Sequence, residues 1–225
     1  MAKVYDKPIQ AVIFDNDGTL MDTEWVYSVA HKELTGIDLE WDFKVNLMGK
    51  TPIEASRLTV EHYGLKDTPE EYCRKRTEIV NKYWPTIPMM PGAENLVDNL
   101  KQRGIKMSIA TASNRSGFGL KSSGHLDFVA KMDHVVCGDE VEHGKPEPDL
   151  FLAALHKWDG IKAENALVFE DSPLGILAAN RAGIPAVFIP DPHMDAEESL
   201  KRYNATPILT IKSLEDFDFD QFIWE

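Results

Sequence analysis

The sequence predicts an α/β fold in which a parallel sheet flanked by helices carries an inserted α-helical cap. Two observations lead to this prediction. Short apolar runs rich in Val, Ile and Phe recur at wide intervals and alternate with helix-like segments, which is typical of parallel strands joined by helices. One long interval after the first run has helical spacing instead, and a Pro-rich stretch ends it.

Apolar runs mark the expected strands of the sheet. They are residues 11–14, 105–110, 134–137, 166–169 and 185–189. After the fourth run, Ser172 is expected to cap a helix that has Pro173 in its first turn and ends at Gly183. The acidic end of the chain, residues 213–225, is expected to form a solvated tail or a last helix.

The inserted cap is predicted to span residues 22–91. Its segments 52–63 and 70–83 have helical spacing with many charges, until the Pro-rich stretch stops them. The remaining residues, 1–21 and 92–225, are then expected to form the core domain that contains the sheet.

Composition and charge exclude several classes of protein. Lys and Arg number 24 against 37 Asp and Glu, and a formal net charge of −13 would repel a nucleic-acid polymer or an anionic membrane surface. No apolar run is long enough for a signal sequence or a membrane span. Only Cys73 and Cys137 are present, and their distance in sequence argues against a disulfide scaffold. We therefore expect a cytoplasmic monomer whose partner is a small molecule.

Two carboxylates follow the first predicted strand. Asp15 and Asp17 are two residues apart, so one can bind a metal and attack phosphorus while the other exchanges a proton. A simple acidic turn is the plain alternative. A calcium-binding loop is excluded, because Gly18 stands at the fourth instead of the sixth position and Val26 replaces the bidentate Glu.

Polar groups also follow the next strands. Thr111 ends the second run, where a hydroxyl and adjacent backbone N–H groups can hold a phosphate oxygen. The adjacent residues are Ala112, Ser113 and Asn114. Two prolines stiffen the segment after Lys145, which would present a fixed ammonium to the nucleophile. Each residue also fits a plainer role, a strand-end cap for Thr111 and a solvated cation for Lys145.

Two adjacent acids, Glu170 and Asp171, follow the fourth run. Acids at the end of a buried strand would repel each other unless a cation compensates, and a hard divalent ion with oxygen ligands does so. Alternatively, Asp171 only starts a helix. Ligand sites of open parallel sheets lie at the carboxyl ends of the strands, so we expect the four motifs to meet there.

The four motifs, in this order, resemble those of the haloacid dehalogenase superfamily with a helical cap inserted after the first. They are Asp15-x-Asp17-Gly18-Thr19, Thr111, Gly144-Lys145-Pro146 and Glu170-Asp171. Finer features resemble the branch of pseudouridine 5′-phosphatases and of plant and yeast glycerol-phosphate and sugar-phosphate phosphatases. These features are Leu47-Met48-Gly49-Lys50, Met90-Pro91-Gly92-Ala93, His143-Gly144-Lys145-Pro146-Glu147-Pro148-Asp149 and Val168-Phe169-Glu170-Asp171-Ser172-Pro173-Leu174-Gly175.

This resemblance implies a Rossmann-like core and a Mg²⁺-dependent phosphatase that acts on a small phosphate ester. Asp15 would form an aspartyl-phosphate, while Asp17 would protonate the leaving group and then activate water. The implied Mg²⁺ ligands are Asp15, the main-chain carbonyl of Asp17 and Asp171, with Glu170 in or near the ligand set. Dehalogenases and ATPases of the superfamily lack an acid at the position of Asp17, which favours a phosphatase or a phosphomutase.

Two alternative functions stay open. A β-phosphoglucomutase-like phosphotransferase is disfavoured, because these mutases carry a His where this chain has Tyr27. A non-catalytic binding module is disfavoured because no core motif residue is missing.

The cap is expected to choose the substrate. Lys50 is the candidate substrate contact, with a solvated lysine as the alternative. The charges expected to be exposed on cap helices are Arg57, Arg74, Lys75 and Arg76.

Overall fold

A computed structural model describes residues 3–44, 47 and 52–225. The chain divides into two compact units, of which the first comprises Met1–Asp22 with Pro88–Glu225 and the second Thr23–Ile87. The first unit contains the sheet, and the second is helical. The predicted insertion, residues 22–91, spans slightly more of the chain than the helical unit.

The sheet of the first unit is parallel and has β2 at its centre. The strands are β1 (Pro8–Ile9), β2 (Ala11–Phe14), β3 (Lys106–Thr111), β4 (His134–Cys137), β5 (Ala166–Glu170), β6 (Ala186–Phe188), β7 (Leu209–Thr210) and β8 (Ile223–Trp224). In the described part of the chain, six of them form one sheet in the order β4-β3-β2-β5-β6-β7. Ala11 of β2 lies opposite Lys106 on one side and Ala166 on the other. The strand order reverses between β2 and β5, where open α/β sheets place their ligand sites.

Helices connect these strands, which confirms the predicted α/β class. The helical unit contains α1 (Glu24–Thr35), α2 (Trp41–Lys44), α3 (Pro52–Tyr63) and α4 (Pro69–Tyr83). The first unit contains α5 (Ala93–Gln102), α6 (Arg115–Lys121), α7 (Leu126–Val129), α8 (Asp149–Leu155), α9 (Pro173–Ala182) and α10 (Ala196–Tyr203). The sequence did not predict the two-residue strands β1, β7 and β8, because they are too short for an apolar pattern.

The predicted helix after β5 is α9, and its predicted ends are confirmed. The Ser172 hydroxyl accepts a hydrogen bond from the Gly175 N–H at 3.0 Å, which satisfies a free donor of the first turn. Pro173 is the first helical residue. Gly183 ends the helix at a φ of 71°, in the left-handed region that glycine adopts without a steric cost.

The helical unit confirms the two helices predicted in the insertion. α4 begins at a capping box, in which the Thr68 hydroxyl accepts from the Glu71 N–H at 3.2 Å. The Glu71 carboxylate in turn accepts from the Thr68 N–H at 3.0 Å. The side chains of Tyr72, Ile79 and Val80 bury one face of α4, so packing adds to this local capping.

The prediction of a solvated tail or helix for residues 213–225 is wrong. Phe217 and Phe222 are buried with ring centroids 5.2 Å apart, and Phe217 lies 5.0 Å from Phe169 on β5. The segment ends in β8, which pairs with β1. Acidic residues alternate with aromatic ones here, so apolar burial of the rings outweighs the local charge.

Membrane-spanning helices and disulfides were both disfavoured by the composition. Among the described residues, no helix combines the length and the apolar character needed to cross a membrane. Cys73 and Cys137 are both free thiols, as their spacing predicted. Burial raises the pKa of Cys137 to about 11, so this thiol is not a reactive thiolate at neutral pH.

The buried aromatic cluster of the last segment leads to a stability prediction. Phe222→Ala should lower the free energy of unfolding by about 3–5 kcal/mol, because it leaves a cavity where a ring is almost fully buried. Leu126→Ala is the control, since Leu126 is 65% exposed, and it should change stability by less than about 0.5 kcal/mol. Urea unfolding measures both. Equal stabilities of the two variants would contradict a packed last segment.

Candidate active site

The predicted motifs meet at the carboxyl ends of the central strands, within the first unit. Asp15 and Asp17 directly follow β2, and Thr111 is the last residue of β3. Glu170 ends β5, and Asp171 follows it. Lys145 lies on the segment between β4 and α8 and reaches the same edge of the sheet. Side chains far apart in sequence therefore surround one point.

Lys145 connects two of the acids. Its ammonium lies 2.5 Å from Asp15 Oδ1 and 2.6 Å from Glu170 Oε1, and all three side chains are at most 9% exposed. Burial alone would lower the pKa of Lys145, but the charges of Asp15 and Glu170 outweigh burial and raise it. Lys145 is therefore a fixed positive charge beside the Asp15 carboxylate.

Three carboxylates crowd around this single ammonium. Asp15, Glu170 and Asp171 each offer an oxygen, and the three oxygens lie within 4.8 Å of one another. Burial, with the charges of neighbouring acids, raises the pKa of Asp15 to about 7 and that of Asp171 well above its ordinary value. The cluster thus has an excess of buried negative charge and an all-oxygen donor set, which fits a hard divalent cation.

Two glycines leave the space that these acids occupy. A Cβ on Gly175 would lie 1.8 Å from Glu170 Oε1, and a Cβ on Gly18 would lie 2.2 Å from Asp171 Oδ2. Gly18 also has a φ of 85°, which side-chain-bearing residues rarely adopt. In addition, the Ser172 N–H donates to Glu170 Oε2 at 2.6 Å, which fixes that carboxylate. The backbone therefore leaves room for the side chains of Glu170 and Asp171 and holds the Glu170 carboxylate in place.

Asp17 has its own set of partners. Its Oδ2 accepts hydrogen bonds from the hydroxyls of Thr111 and Ser113, both at 3.1 Å, and its Oδ1 pairs with the Lys121 ammonium. Burial opposes the charged form, but Lys121 and the two hydroxyls outweigh burial and lower the pKa of Asp17. Asp15 and Asp17 thus have pKa values shifted in opposite directions.

Sequence reasoning missed Lys121. Its ammonium contacts both Asp17 and the Ser113 hydroxyl, the latter at 2.9 Å. Lys121 ends the seven-residue helix α6, and helical side chains lean towards the N-terminus of their helix. A long cation in the last turn can therefore reach back to groups near the start of the helix. This spacing was the available signal, and it is weak.

Other predicted substrate contacts are used differently or cannot be placed. The Thr111 hydroxyl donates to Asp17 and accepts from the Ser113 N–H at 3.1 Å, while the Asn114 side chain caps α6 by accepting from the Gly117 N–H at 2.7 Å. Ala112 separates Thr111 from Ser113 in the turn that follows β3. Lys50, the predicted cap contact, lies outside the described residues.

One prediction about the cap charges is wrong. Arg57 and Arg74 are exposed on α3 and α4, and Lys75 is half-buried, but Arg76 is only 9% exposed. The guanidinium carbon of Arg76 lies 5.8 Å from the ring centre of Tyr27 and 5.9 Å from that of Tyr72. Cation–π attraction and packing of the long stem reduce the cost of burying this cation.

A cluster of acids beside a buried lysine, at the switch point of a parallel sheet, is suited to bind a divalent cation and a phosphoryl group. A family model described as haloacid dehalogenase-like hydrolase matches residues 12–189. The chain belongs to this family, as the motifs in the sequence indicated. Phosphatases of the superfamily generally use a divalent metal, and the acidic cluster supplies suitable ligands.

Several proteins are similar to this one over most of the chain. A (DL)-glycerol-3-phosphatase 2 of Arabidopsis thaliana is 39% identical over 196 residues, which cover 83% of this chain and 82% of the relative. A probable pseudouridine-5′-phosphatase of Drosophila melanogaster is 37% identical, covering 99% and 97%. The crystal structure of CbbY from Rhodobacter sphaeroides in complex with phosphate is similar with a TM-score of 0.70 and 26% identity, covering 92% and 96%. These relatives confirm the predicted family and the phosphatase branch.

The glycine that accommodates Glu170 provides a test of the acidic cluster. Gly175→Ala should weaken Mg²⁺ binding by about 10–100-fold, because the new Cβ displaces the Glu170 carboxylate. Gly119→Ala is the matched control, since Gly119 is also helical but a Cβ there meets nothing within 4 Å. It should leave Mg²⁺ affinity unchanged. Calorimetric titration with Mg²⁺ measures the affinity of both variants. If Gly175→Ala binds Mg²⁺ as tightly as the wild type, Glu170 does not contribute to the cation site.

The raised pKa values of Asp15 and Asp171 predict a pH-dependent stability. A carboxyl whose pKa is higher in the folded than in the unfolded chain favours folding when protonated, so this stability is lost as pH rises. With a chelator present, the free energy of unfolding should fall by about 2 kcal/mol between about pH 5 and pH 8, through the Asp15 pKa of about 7. Mg²⁺ should restore more stability at the higher pH.

Denaturant unfolding at several pH values measures this effect. Asp171→Asn serves as the control, because it removes one of the crowded charges with little change in shape and should flatten the decline. If the free energy of unfolding instead rises over the same pH range with chelator present, the ionised acids do not destabilise the folded chain.

Proposed function

We propose that this protein is a Mg²⁺-dependent phosphatase that hydrolyses a small phosphate monoester. The observation that carries the proposal is the position of Asp15, whose carboxylate is held by Lys145 beside the acidic cluster. Uncatalysed hydrolysis of phosphate monoesters is extremely slow, so a catalyst must combine positioning, charge neutralisation and a better nucleophile. The site supplies a group for each of these tasks.

Asp15 is the proposed nucleophile. Its carboxylate attacks phosphorus, a new oxygen–phosphorus bond forms to Asp15, and the bond to the leaving oxygen of the ester breaks. Lys145 donates to Asp15 and carries a charge that stabilises the negative transferring group. Water then hydrolyses the aspartyl-phosphate, which releases inorganic phosphate and regenerates the carboxylate.

Asp17 is the proposed acid and base. It gives a proton to the leaving alcohol in the first step and takes one from the attacking water in the second. Lys121 and two hydroxyls favour the anionic form of Asp17 in the free protein, which suits the base role. An arriving phosphate dianion near this carboxyl raises its pKa, which favours the proton uptake that the acid role requires.

The ligands proposed for Mg²⁺ are Asp15, the main-chain carbonyl of Asp17 and Asp171, with Glu170 directly or through water. A divalent cation bound there would neutralise negative charge on the phosphoryl group during transfer. The backbone N–H groups after Thr111, together with Lys145, are proposed to bind the phosphate oxygens. Because Thr111 and Ser113 donate to Asp17, their hydroxyls are assigned here to positioning that acid.

The proposed substrates are small nucleoside, polyol or sugar phosphates. Curated relatives that share about two fifths of their residues with this chain are named for glycerol 3-phosphate and pseudouridine 5′-phosphate. Both compounds are compact monoesters, in keeping with a site that recognises the phosphoryl group. A cytoplasmic location and a monomeric state remain predictions from the sequence.

The nucleophile assignment predicts the behaviour of Asp15→Asn. This variant should lose activity by about 10⁴-fold or more, because an amide cannot form the acyl-phosphate bond, while its circular dichroism stays that of the wild type. Asp127→Asn is the matched control, since Asp127 is an exposed acid on α7 of the same unit. Full activity of Asp15→Asn would refute the assignment.

The same assay identifies the substrate class. Release of inorganic phosphate with Mg²⁺ present is measured for pseudouridine 5′-phosphate, glycerol phosphate, flavin mononucleotide and a sugar phosphate. A phosphoglucomutase-type transferase would instead form isomers when a bisphosphate activator is added and release phosphate slowly. No phosphate release from any ester of the panel would overturn the proposed function.

A further inference from the structure

The stretch of chain that begins at the end of β3, residues 111–121, surrounds one carboxylate with donors. The hydroxyls of Thr111 and Ser113 both donate to Asp17 Oδ2 at 3.1 Å, and the Lys121 ammonium donates to Asp17 Oδ1. Both oxygens of the carboxylate are therefore held from a single stretch of chain. A carboxylate with a donor at each oxygen cannot turn without breaking a hydrogen bond, so its direction is fixed.

Lys121 is itself held in place. Its side chain is only 13% exposed, and its ammonium donates to the Ser113 hydroxyl at 2.9 Å as well as to Asp17. Ser113 accepts from Lys121 while it donates to Asp17, which closes a triangle of hydrogen bonds. An exposed lysine spreads over many rotamers, whereas burial and two acceptors restrict this one.

Contacts outside the site orient the helix that carries Lys121. At the start of α6, the Arg115 N–H donates to Asp139 Oδ1 at 3.0 Å, and the Arg115 side chain donates to Glu140 Oε1 at 2.9 Å. Phe118, in the middle of the helix, is buried. These contacts set the direction of α6 and, with it, the point that the Lys121 ammonium reaches.

The two lysines of the site serve different acids. Lys145 lies 2.5 Å from Asp15 and 2.6 Å from Glu170, so the proposed nucleophile has a cation of its own. Lys121 instead pairs with Asp17, the proposed acid and base. Its contact is therefore with the group that handles the leaving oxygen, and not with the group that attacks phosphorus.

We propose that Lys121 is a positioning residue, which turns the Asp17 carboxyl towards the leaving oxygen of the ester. This inference rests on the proposed function, because it takes Asp17 as the proton donor. Proton transfer needs donor and acceptor within roughly 2.6–3.2 Å, so a carboxyl that rotates away no longer protonates the leaving group. Lys121 acts through Asp17, and it is the member of the triangle that the four sequence motifs do not contain.

The test compares two esters that differ in their need for a proton. An alkoxide departs from phosphorus readily only when it is protonated, whereas p-nitrophenolate departs as the anion. The ratio kcat/KM covers the steps up to departure of this group, so it reports proton transfer without the later hydrolysis of the aspartyl-phosphate. It is measured for p-nitrophenyl phosphate and for the alkyl ester of the panel that the wild type hydrolyses fastest.

Lys121→Met should lower kcat/KM about 100-fold for the alkyl ester and less than about threefold for p-nitrophenyl phosphate, because Met has a similar length but donates no hydrogen bond. Lys131→Met is the matched control, since Lys131 also pairs with an acid of the first unit, Asp98, outside the motifs. It should change neither value. If Lys121→Met does not fold, Lys121→Arg keeps the cation but places its donors differently, and it should show the same preference with a smaller loss.

A double-mutant cycle tests whether Lys121 acts through Asp17. In an Asp17→Asn background, Lys121→Met should cost less than about threefold with the alkyl ester, because the carboxyl that Lys121 positions is gone. A lysine that contacted the substrate directly, or that only stabilised the fold, would cost the same factor in both backgrounds.

Two results would overturn the inference. One is an equal change of kcat/KM for both esters in Lys121→Met, or in Lys121→Arg, including no change at all. The other is a loss that is as large in the Asp17→Asn background as in the wild type. Phosphate release by the wild type tests the proposed function separately, so a failure of that function is told apart from a failure of this inference.

Discussion

The site depends on one electrostatic constraint, the crowding of Asp15, Glu170 and Asp171 around a single ammonium. Carboxylates this close and this buried repel one another, so their arrangement persists only because Lys145 and the backbone hold it. The parallel sheet brings the strand ends together, and glycine at two positions leaves room for the acids. The fold thus determines the position of the acidic cluster, and with it the electrostatics of the site.

Electrostatics also distinguishes Asp15 from Asp17. Each of the two carboxylates has its own lysine, Lys145 for one and Lys121 for the other, yet their pKa values shift in opposite directions. Asp15 is crowded by other acids, whereas Asp17 is surrounded by donors. A divalent cation at the acidic cluster would favour the anion of Asp15, which the proposed nucleophile must be.

The sequence was sufficient where a signal is local. Buried strands appear as apolar runs, and the motif residues follow them directly, so the sheet and the acidic cluster could be placed. Lys121 could not be placed in the site. Its partner Asp17 is 104 positions away in sequence, and Lys121 reaches it only by folding back along its own helix. Arg76 was misjudged because burial depends on which face of α4 packs inward. The last segment was misjudged because its charges masked the alternating aromatic residues.

A short helix connects local folding with the pKa of Asp17. α6 has seven residues, two of which are Gly117 and Gly119, and helices of this length have little intrinsic stability. Lys121 stands in its last turn. Local unwinding there would withdraw the ammonium from Asp17 and raise the affinity of that carboxyl for protons. Warming or denaturant can therefore change the protonation of Asp17 while the sheet is still intact.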